Sequence, residues 1–464
     1  MMFGTLKKKM QLNLWIFYII TTLCVPFSGQ EEMSTLLPSE TTETILPMAL
    51  PEQINDNIAL AVNKFGYKLL LKMMNEKKND NIVISPTGVA GLLAMTLLGS
   101  VGTTYDEIAE ALGFSQDIFT NRKNHEQLGE LLQSINANVS SKTLYADAIF
   151  VDTQTPLRQL YRNYLHDVYR GEILNTNFTD SEDAKNKINE WVTNNTEGQI
   201  ENFLKRSLPT STKVALLSAL YFNGQWEKPF LPEYTTKLPF KKGKVTVMAD
   251  LMLNFGHFNF TVSENNDFIM LALPYNDSET NMYAVKPRLP NKLNLLDLME
   301  KIDYEQIDKT INEMTIKKCV VRFPKLELKT SMNLDNSLKA IGIQDMFTPG
   351  AANFALMVNG NAIVNNTEEE LITRSGTKIE DKESSLIKDM LDSLPNPGIH
   401  VDSVTHEVKL TINEYGTEAV AATSAVLARS AELFYADTPF YIFIRNEKTH
   451  LVTFSAVIFD PTIE

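Results

Sequence analysis

Cysteine is almost missing from this chain: 464 residues carry two, Cys24 and Cys319. Cys24 falls in an N-terminal stretch read below as a leader, which leaves one thiol and no intramolecular disulfide in the mature chain. Stability must then come from a packed core. Cys319 opens an apolar run, 319–323, and reads as a buried, inert thiol rather than a nucleophile. Positive charge is also short. Against 57 Asp and Glu stand 43 Lys and Arg, a formal net charge of −14, which argues against nucleic acid as a partner. The signatures of catalysis are missing too. No serine sits in Gly-x-Ser-x-Gly, His406-Glu407 has no second histidine four residues on, and neither Cys-x-x-Cys nor a phosphate-binding glycine loop occurs. A triad is defined by geometry rather than chain order, so six histidines leave room for one. The reading is nevertheless of a non-enzyme with no cofactor and no metal site.

Long apolar runs are equally scarce. Residues 14–25 form one behind Lys7-Lys8-Lys9, interrupted by Thr21 and Thr22 and shorter than the ~20 residues a membrane helix needs. A basic start and a short apolar run make a secretory signal peptide over residues 1–29, cleaved near 28–30. The expected location is therefore extracellular, with no membrane contact after cleavage. Residues 30–51 are rich in Thr, Ser, Glu and Pro and cannot bury enough apolar surface to fold alone. A disordered extension, 30–56, is the reading, with a composition suited to O-glycosylation. Asn-x-Ser/Thr sequons at Asn138, Asn177, Asn194, Asn259, Asn276 and Asn365 are the candidate N-glycosylation sites.

Globular patterning begins at Asn57. Ile58, Val62, Phe65, Leu69 and Leu70 recur at helical spacing. Residues 81–114 then read as a short strand ending at Ser85-Pro86, an apolar helix to about Leu98, a glycine break, and a second helix capped by Thr103 or Thr104. A helix apolar all round must be buried on every side. Strand patterns at 144–151, 213–226, 268–274, 282–286 and 320–324 alternate irregularly with helical patterns at 182–193 and 293–301, and 334–347 reads as helix and turn. A final hairpin joins 441–445 to 451–459. Irregular mixing favours α+β over repeating βαβ units, in one domain spanning 57–464.

The most informative stretch is 413–440, INEYGTEAVAATSAVLARSAELFYADTPF with its flanking residue. Its run of small residues has alanine's helical propensity, yet Val420, Thr423 and Val426 weaken a helix and leave a strand available. Read with period two, Thr417, Ala419, Ala421, Thr423, Ala425 and Leu427 share one small, uncharged face, while Glu418 can only face water. The segment can stay an exposed loop or become a buried strand.

This stretch resembles the hinge and reactive-centre loop of the serpins, the serine-protease inhibitor family. Glu414, Gly416, Thr417, Glu418, Ala419, Ala421 and Ala422 carry the hinge likeness, and residues 434–440 the closing motif. Ser85 and Pro86, Trp226 with Phe222 and Gly224, and His406 are similar to the family's shutter and breach positions, where Ser218 departs from the usual asparagine. The resemblance implies a serpin fold: a large central mixed β-sheet, smaller sheets, about eight or nine helices and an exposed reactive loop. It also implies suicide inhibition, in which a protease is trapped as a covalent acyl complex while the loop enters the main sheet. For the reactive bond, family spacing from Gly416 points to Ser430, followed by Ala431; chemistry favours Arg429, because trypsin-like pockets hold an acid that pairs with arginine. The implied partner is an extracellular trypsin-like serine protease, met by a monomer. Similarity to arthropod members points to restraint of an immune or melanisation cascade, and a non-inhibitory carrier is the alternative. Arg122-Lys123 reads as a solvated face, not a glycosaminoglycan site. One departure is large: residues 359–395 are inserted where the family has a short connection, with a helix over 386–394 as their only expected element.

Overall fold

Strand β4 (Val214–Asn223) is buried along nearly its whole length, because both of its faces are covered. The even residues Val214 and Leu216 join a core with helix α1 (Glu52–Glu76) and helix α2 (Pro86–Leu97). The odd residues Ala215, Leu217 and Ala219 pack under helix α6 (Ser181–Asn195), against Ala184, Ile188 and Val192. This two-sided burial explains why the strand reads as an unbroken apolar run. The same holds for α2, in which every residue from Pro86 to Leu97 is buried.

The computed structural model describes residues 52–136, 142–358, 381–415 and 431–463. They form an α+β architecture with two sheets. The five-stranded sheet runs β10 (Leu326–Asn333), β11 (Ser403–Ile412), β4, β2 (Lys142–Asp152), β3 (Glu172–Thr176). β11 and β4 are parallel neighbours, whereas β10–β11 and β2–β4 are antiparallel. The nine-stranded sheet runs β1 (Ile82–Ile84), β14 (Val452–Ile458), β13 (Phe440–Asn446), β8 (Thr280–Pro287), β7 (Phe268–Pro274), β6 (Val245–Val262), β9 (Thr315–Pro324), β12 (Glu432–Tyr435), with β5 (Thr236–Lys242) on β6. β6, 18 residues long, holds this sheet together by pairing with β5, β9 and β7 in turn. The remaining helices are α3 (Gly102–Leu112), α4 (Ile118–Asn136), α5 (Gln159–Tyr169), α7 (Leu295–Lys301), α8 (Tyr304–Asn312), α9 (Asp335–Ala340) and α10 (Asp381–Asp392).

Ten α-helices thus occur among the described residues, one more than the upper expectation, the extra one lying in the insert. Helix α1 opens at Glu52, ahead of Asn57, within the stretch assigned to the extension. The leader and most of that extension lie outside the described residues. No helix among the described residues is long and apolar enough to cross a membrane. Cys319 is buried, and burial pushes its thiol up to about 11, so it is inert at neutral pH.

One cap differs from expectation. Helix α3 starts at Gly102 with Val101 as its N-cap, and neither Thr103 nor Thr104 caps it. The threonines face other segments instead: Thr103 Oγ1 donates to Asp345, and Thr104 Oγ1 accepts from the Asn353 backbone at 3.0 Å. The cap comes from the insert. Asp392 Oδ1, at the end of α10, accepts from the Gly102 N–H at 2.8 Å, placing negative charge at the positive end of α3. Leu391 is buried beside Val101 and Ala355, and Lys388 Nζ lies 3.1 Å from Asp106 and 5.5 Å from the centre of the Tyr105 ring. The insert therefore ends in a docked helix. Leu391→Ala should loosen that docking by about 2 kcal/mol. Amide exchange over 388–392 should rise sharply while the global melting temperature barely moves; unchanged exchange would contradict this packing.

Candidate functional site

The parallel pair β4–β11 is the centre of the site. Eight residue pairs hold it, from Ser403 opposite Ala215 to Leu410 opposite Phe222. β11 then passes through Asn413–Tyr415 directly into residues 416–430, which lie outside the described residues. A strand turning back from the end of β11 would run antiparallel to both β11 and β4. Slotted between them, it would replace one parallel pairing by two antiparallel ones, the slightly more stable type.

The start of that segment is pinned. Trp226 is buried and stacked on Tyr275 at 4.4 Å between ring centroids and 12° between planes. Its Nε1 donates to the Asn413 carbonyl at 2.8 Å, and its backbone N–H to that of Tyr415 at 3.2 Å. The Phe230 N–H donates to the Glu414 carbonyl at 3.1 Å. Gly224 permits this packing, since a Cβ there would sit 2.6 Å from the Tyr275 ring. The Glu414 carboxylate is buried; burial would raise its pKa, but Lys325 at 3.0 Å and the Thr235 hydroxyl at 3.0 Å outweigh this and hold it below the usual carboxylate range. The far end is pinned as well. Phe434 is fully buried, and Lys286 Nζ donates to the Tyr435 carbonyl and, at 2.9 Å, to Asp437.

Midway along the seam lies a buried polar row. His406 on β11, Ser218 on β4 and Asp147 on β2 are register partners across three adjacent strands. The Ser85 N–H donates to His406 Nε2 at 2.9 Å, which puts the imidazole proton on Nδ1. Ser85 also caps α2, its Oγ accepting from Gly88 N–H at 3.0 Å, with Pro86 at the first helical position. Gly88 brings α2 close to the strands: a Cβ would stand 2.8 Å from Ser218 Oγ. Burial pulls His406 down to about 4, so it is neutral at neutral pH. Asp147 moves the other way. Burial of its carboxyl pushes it up to about 7, and Ser218 opposite offsets this only in part. Oδ1 of Asp147 and Oγ of Ser218 have no well-formed hydrogen bond. On the opposite face of β11, Glu407 is completely buried; burial raises its pKa, and Lys329 at 3.2 Å opposes that rise.

Ser85, Pro86, Ser218 and His406 thus converge around one seam, with Trp226 and Glu414 at its upper end. Gly416, Thr417, Glu418, Ala419, Ala421, Ala422, Arg429 and Ser430 lie outside the described residues; Ala431, half-buried, leads into β12. Asn177, Asn194 and Asn259 are exposed, Asn276 is half-buried with Oδ1 enclosed, and Asn138 and Asn365 lie outside. Arg122 is engaged by Glu126 at 3.0 Å and rests over the Tyr164 ring. Sequence reasoning missed Asp147 and Lys325. Asp147 was detectable as the one charge between Ala146 and Ala148 in an apolar strand; Lys325 carried no signal.

Comparison with known proteins agrees with this geometry. A family model described as "Serpin (serine protease inhibitor)" matches residues 60–461. The chain is 29% identical over 413 residues to human glia-derived nexin, covering 85% of this chain and 92% of the relative. It is 25% identical over 475 residues to serine protease inhibitor 28Dc of Drosophila melanogaster, covering 94% and 84%. A crystal structure of native protease nexin-1 with heparin superposes with a TM-score of 0.71 at 26% identity, covering 88% of this chain and all of that one.

Because the folded pKa of Asp147 is raised, its contribution to stability is full below its unfolded value of 3.8 and is lost as pH rises towards about 7. Asp147→Asn should therefore gain on the parent as pH rises from about 4.5 to about 8, by roughly 3 kcal/mol. Melts across that range check the sign, and a gain that shrinks with pH contradicts it. Trp226→Phe keeps the stack on Tyr275 but removes the Nε1 bond, which should release Asn413 by about 1 kcal/mol, read as faster amide exchange over 411–415.

Proposed function

The chain belongs to the serpin family, and on that premise we propose that it is a secreted suicide inhibitor of extracellular trypsin-like serine proteases. The observation carrying this reading is the β4–β11 seam: two parallel neighbours whose shared upper end delivers the chain into residues 416–430. The family description and the Drosophila relative, serine protease inhibitor 28Dc, both name inhibition of serine proteases, which supports this reading.

In this reading the protease serine attacks the carbonyl of Arg429. The bond to Ser430 breaks, the new amine leaves with residues 430–464, and Arg429 stays esterified to the protease. Residues 417–427 then enter the seam as an antiparallel strand. Serpin loop insertion is a recognised case of strand addition that releases stored strain, and here it would carry the protease along. The small face of Thr417, Ala419 and Ala421 suits burial there. Capture requires insertion to outrun hydrolysis of the ester. Export is supported by the Lys7–Val25 leader pattern, and an immune or melanisation cascade by the likeness to arthropod members.

Mixing the recombinant chain with trypsin should give an SDS-resistant complex and a C-terminal fragment beginning at Ser430. A fragment beginning at Ala431 would move the primary residue from Arg429 to Ser430. Cleavage without a complex by trypsin, and likewise by chymotrypsin-like and elastase-like proteases, would turn the reading to a non-inhibitory carrier. Thr417→Arg should convert the inhibitor largely to a substrate, since insertion would bury an unpaired charge at a cost of several kcal/mol. Full trapping by that variant would sink the insertion mechanism.

A further inference from the structure

The lower end of the β4–β11 seam is closed by a side chain as well as by the ladder. Just below the first ladder pair, Ser403 opposite Ala215, the Asp402 N–H donates to the Val214 carbonyl at 2.8 Å. The Asp402 carboxylate then reaches across the seam. Its Oδ2 accepts from the Lys213 N–H at 2.6 Å and from the Val214 N–H at 3.1 Å, and its Oδ1 faces His400 Nε2 at 3.5 Å. The two strand ends that this carboxylate joins are otherwise fastened to different parts of the molecule. β4 is bound to β2 here: the Asp152 N–H donates to the Lys213 carbonyl at 2.9 Å, and Lys213 Nζ to the buried Asp152 carboxylate. β11 is bound on its other side, where the Val401 N–H donates to the Met346 carbonyl at 2.8 Å and the Val404 N–H to Asp335 Oδ1 at 2.8 Å. Asp402 therefore bridges two separately fastened ends with bonds of the stronger, charge-assisted class.

We propose that Asp402 is a positioning residue for loop insertion, a latch that holds the lower end of the seam shut and sets the rate of the last part of strand entry. The proposal rests on the insertion reading above. Antiparallel pairing that starts with Thr417 opposite Ile412 brings Ser424 opposite Thr405 and Leu427 opposite Asp402. Entry as far as Ser424 leaves the latch closed. Entry to Leu427 has to pull the Lys213 and Val214 N–H groups off Oδ2 before the new strand can offer its own carbonyls. Val214 is fully buried, so its N–H is costly to leave unpaired even briefly. Trp226 thus fixes where entry begins, and Asp402 where it slows.

The test uses the full-length protein and two synthetic, fluorescein-labelled peptides copied from the chain, 417–424 and 417–427. Their entry into the seam is followed by fluorescence anisotropy and by the rise in melting temperature that a new strand gives. With the parent, the shorter peptide should enter at least ~5-fold faster than the longer, the scale of one hydrogen bond. Asp402→Ala should speed the longer peptide by ~5–10-fold and leave the shorter within ~2-fold, a length dependence that general loosening of the fold would not give. Asp402→Asn keeps an oxygen acceptor for both N–H groups and should stay within ~2-fold of the parent for both peptides. Equal rates for the two peptides on the parent, no acceleration by Asp402→Ala, or equal acceleration of both peptides would overturn the proposal. So would an Asp402→Asn variant as fast as the Asp402→Ala one, since the carboxylate would then act by its charge and not through the bonds to Oδ2. A parent that takes up neither peptide would instead bring down the insertion reading, and the latch with it.

Discussion

The proposed function of this molecule depends on one pairing, the parallel contact of β4 with β11. Parallel pairing is slightly weaker per residue than antiparallel pairing, and here it is flanked on both sides by antiparallel strands. Of the two parallel lines in this sheet, β4–β11 and the edge pair β2–β3, the β4–β11 line is the one where an extra strand would gain two antiparallel neighbours. The cores on either side do not cross it in the same way. Helix α6 covers Ala215, Leu217 and Ala219 of β4, while α2 backs the seam through Ser85 and Gly88. Two alanines under α6 and a glycine on α2 keep the packing on both faces shallow beside the seam.

The polar groups along the seam follow the same logic. A carboxyl at Asp147, a neutral imidazole at His406 and a carboxylate at Glu407 are all held in or beside the sheet with few partners. Buried polar groups without full hydrogen bonding destabilise the state that buries them. Two of the three titrate in opposite senses. His406, lowered to about 4, contributes fully above its usual 6.5 and loses that contribution as pH falls through the folded value. Asp147, raised to about 7, loses its contribution as pH rises. Between these limits the slopes of His406 and Asp147 oppose each other, while Glu407, raised like Asp147, adds to the loss as pH rises.

Much of this was legible in the sequence, and the reasons differ by element. β4 and α2 were readable because burial on every side leaves an unbroken apolar run, and β13–β14 because both strands of the hairpin are apolar around a polar turn. Ser85, Pro86, Trp226 and His406 were found through resemblance, since nothing in a lone histidine or tryptophan states which strand it will face. The cap of α3 was misread. Two threonines at the right spacing are sufficient for a cap locally, but a docked aspartate nearly three hundred residues away supplied it instead. Long-range partners of that kind, Lys325 on Glu414 among them, leave no local periodicity to detect.

The two anchors define what the loop is able to do. On one side Trp226 and Phe230 hold the backbone of Asn413–Tyr415; on the other, β12 is hydrogen-bonded to β9 and Phe434 is sunk in the core. In the proposed mechanism, with both ends anchored on different sheets, full entry of residues 417–427 into the seam requires either release of β12 from β9 or a cut between the anchors. A cut would remove that restraint and leave the N-terminal part tied to the top of the seam. The difference between one parallel and two antiparallel pairings would then be released mainly after cleavage, so the proposed order of events follows from where the two anchors lie rather than from any single residue.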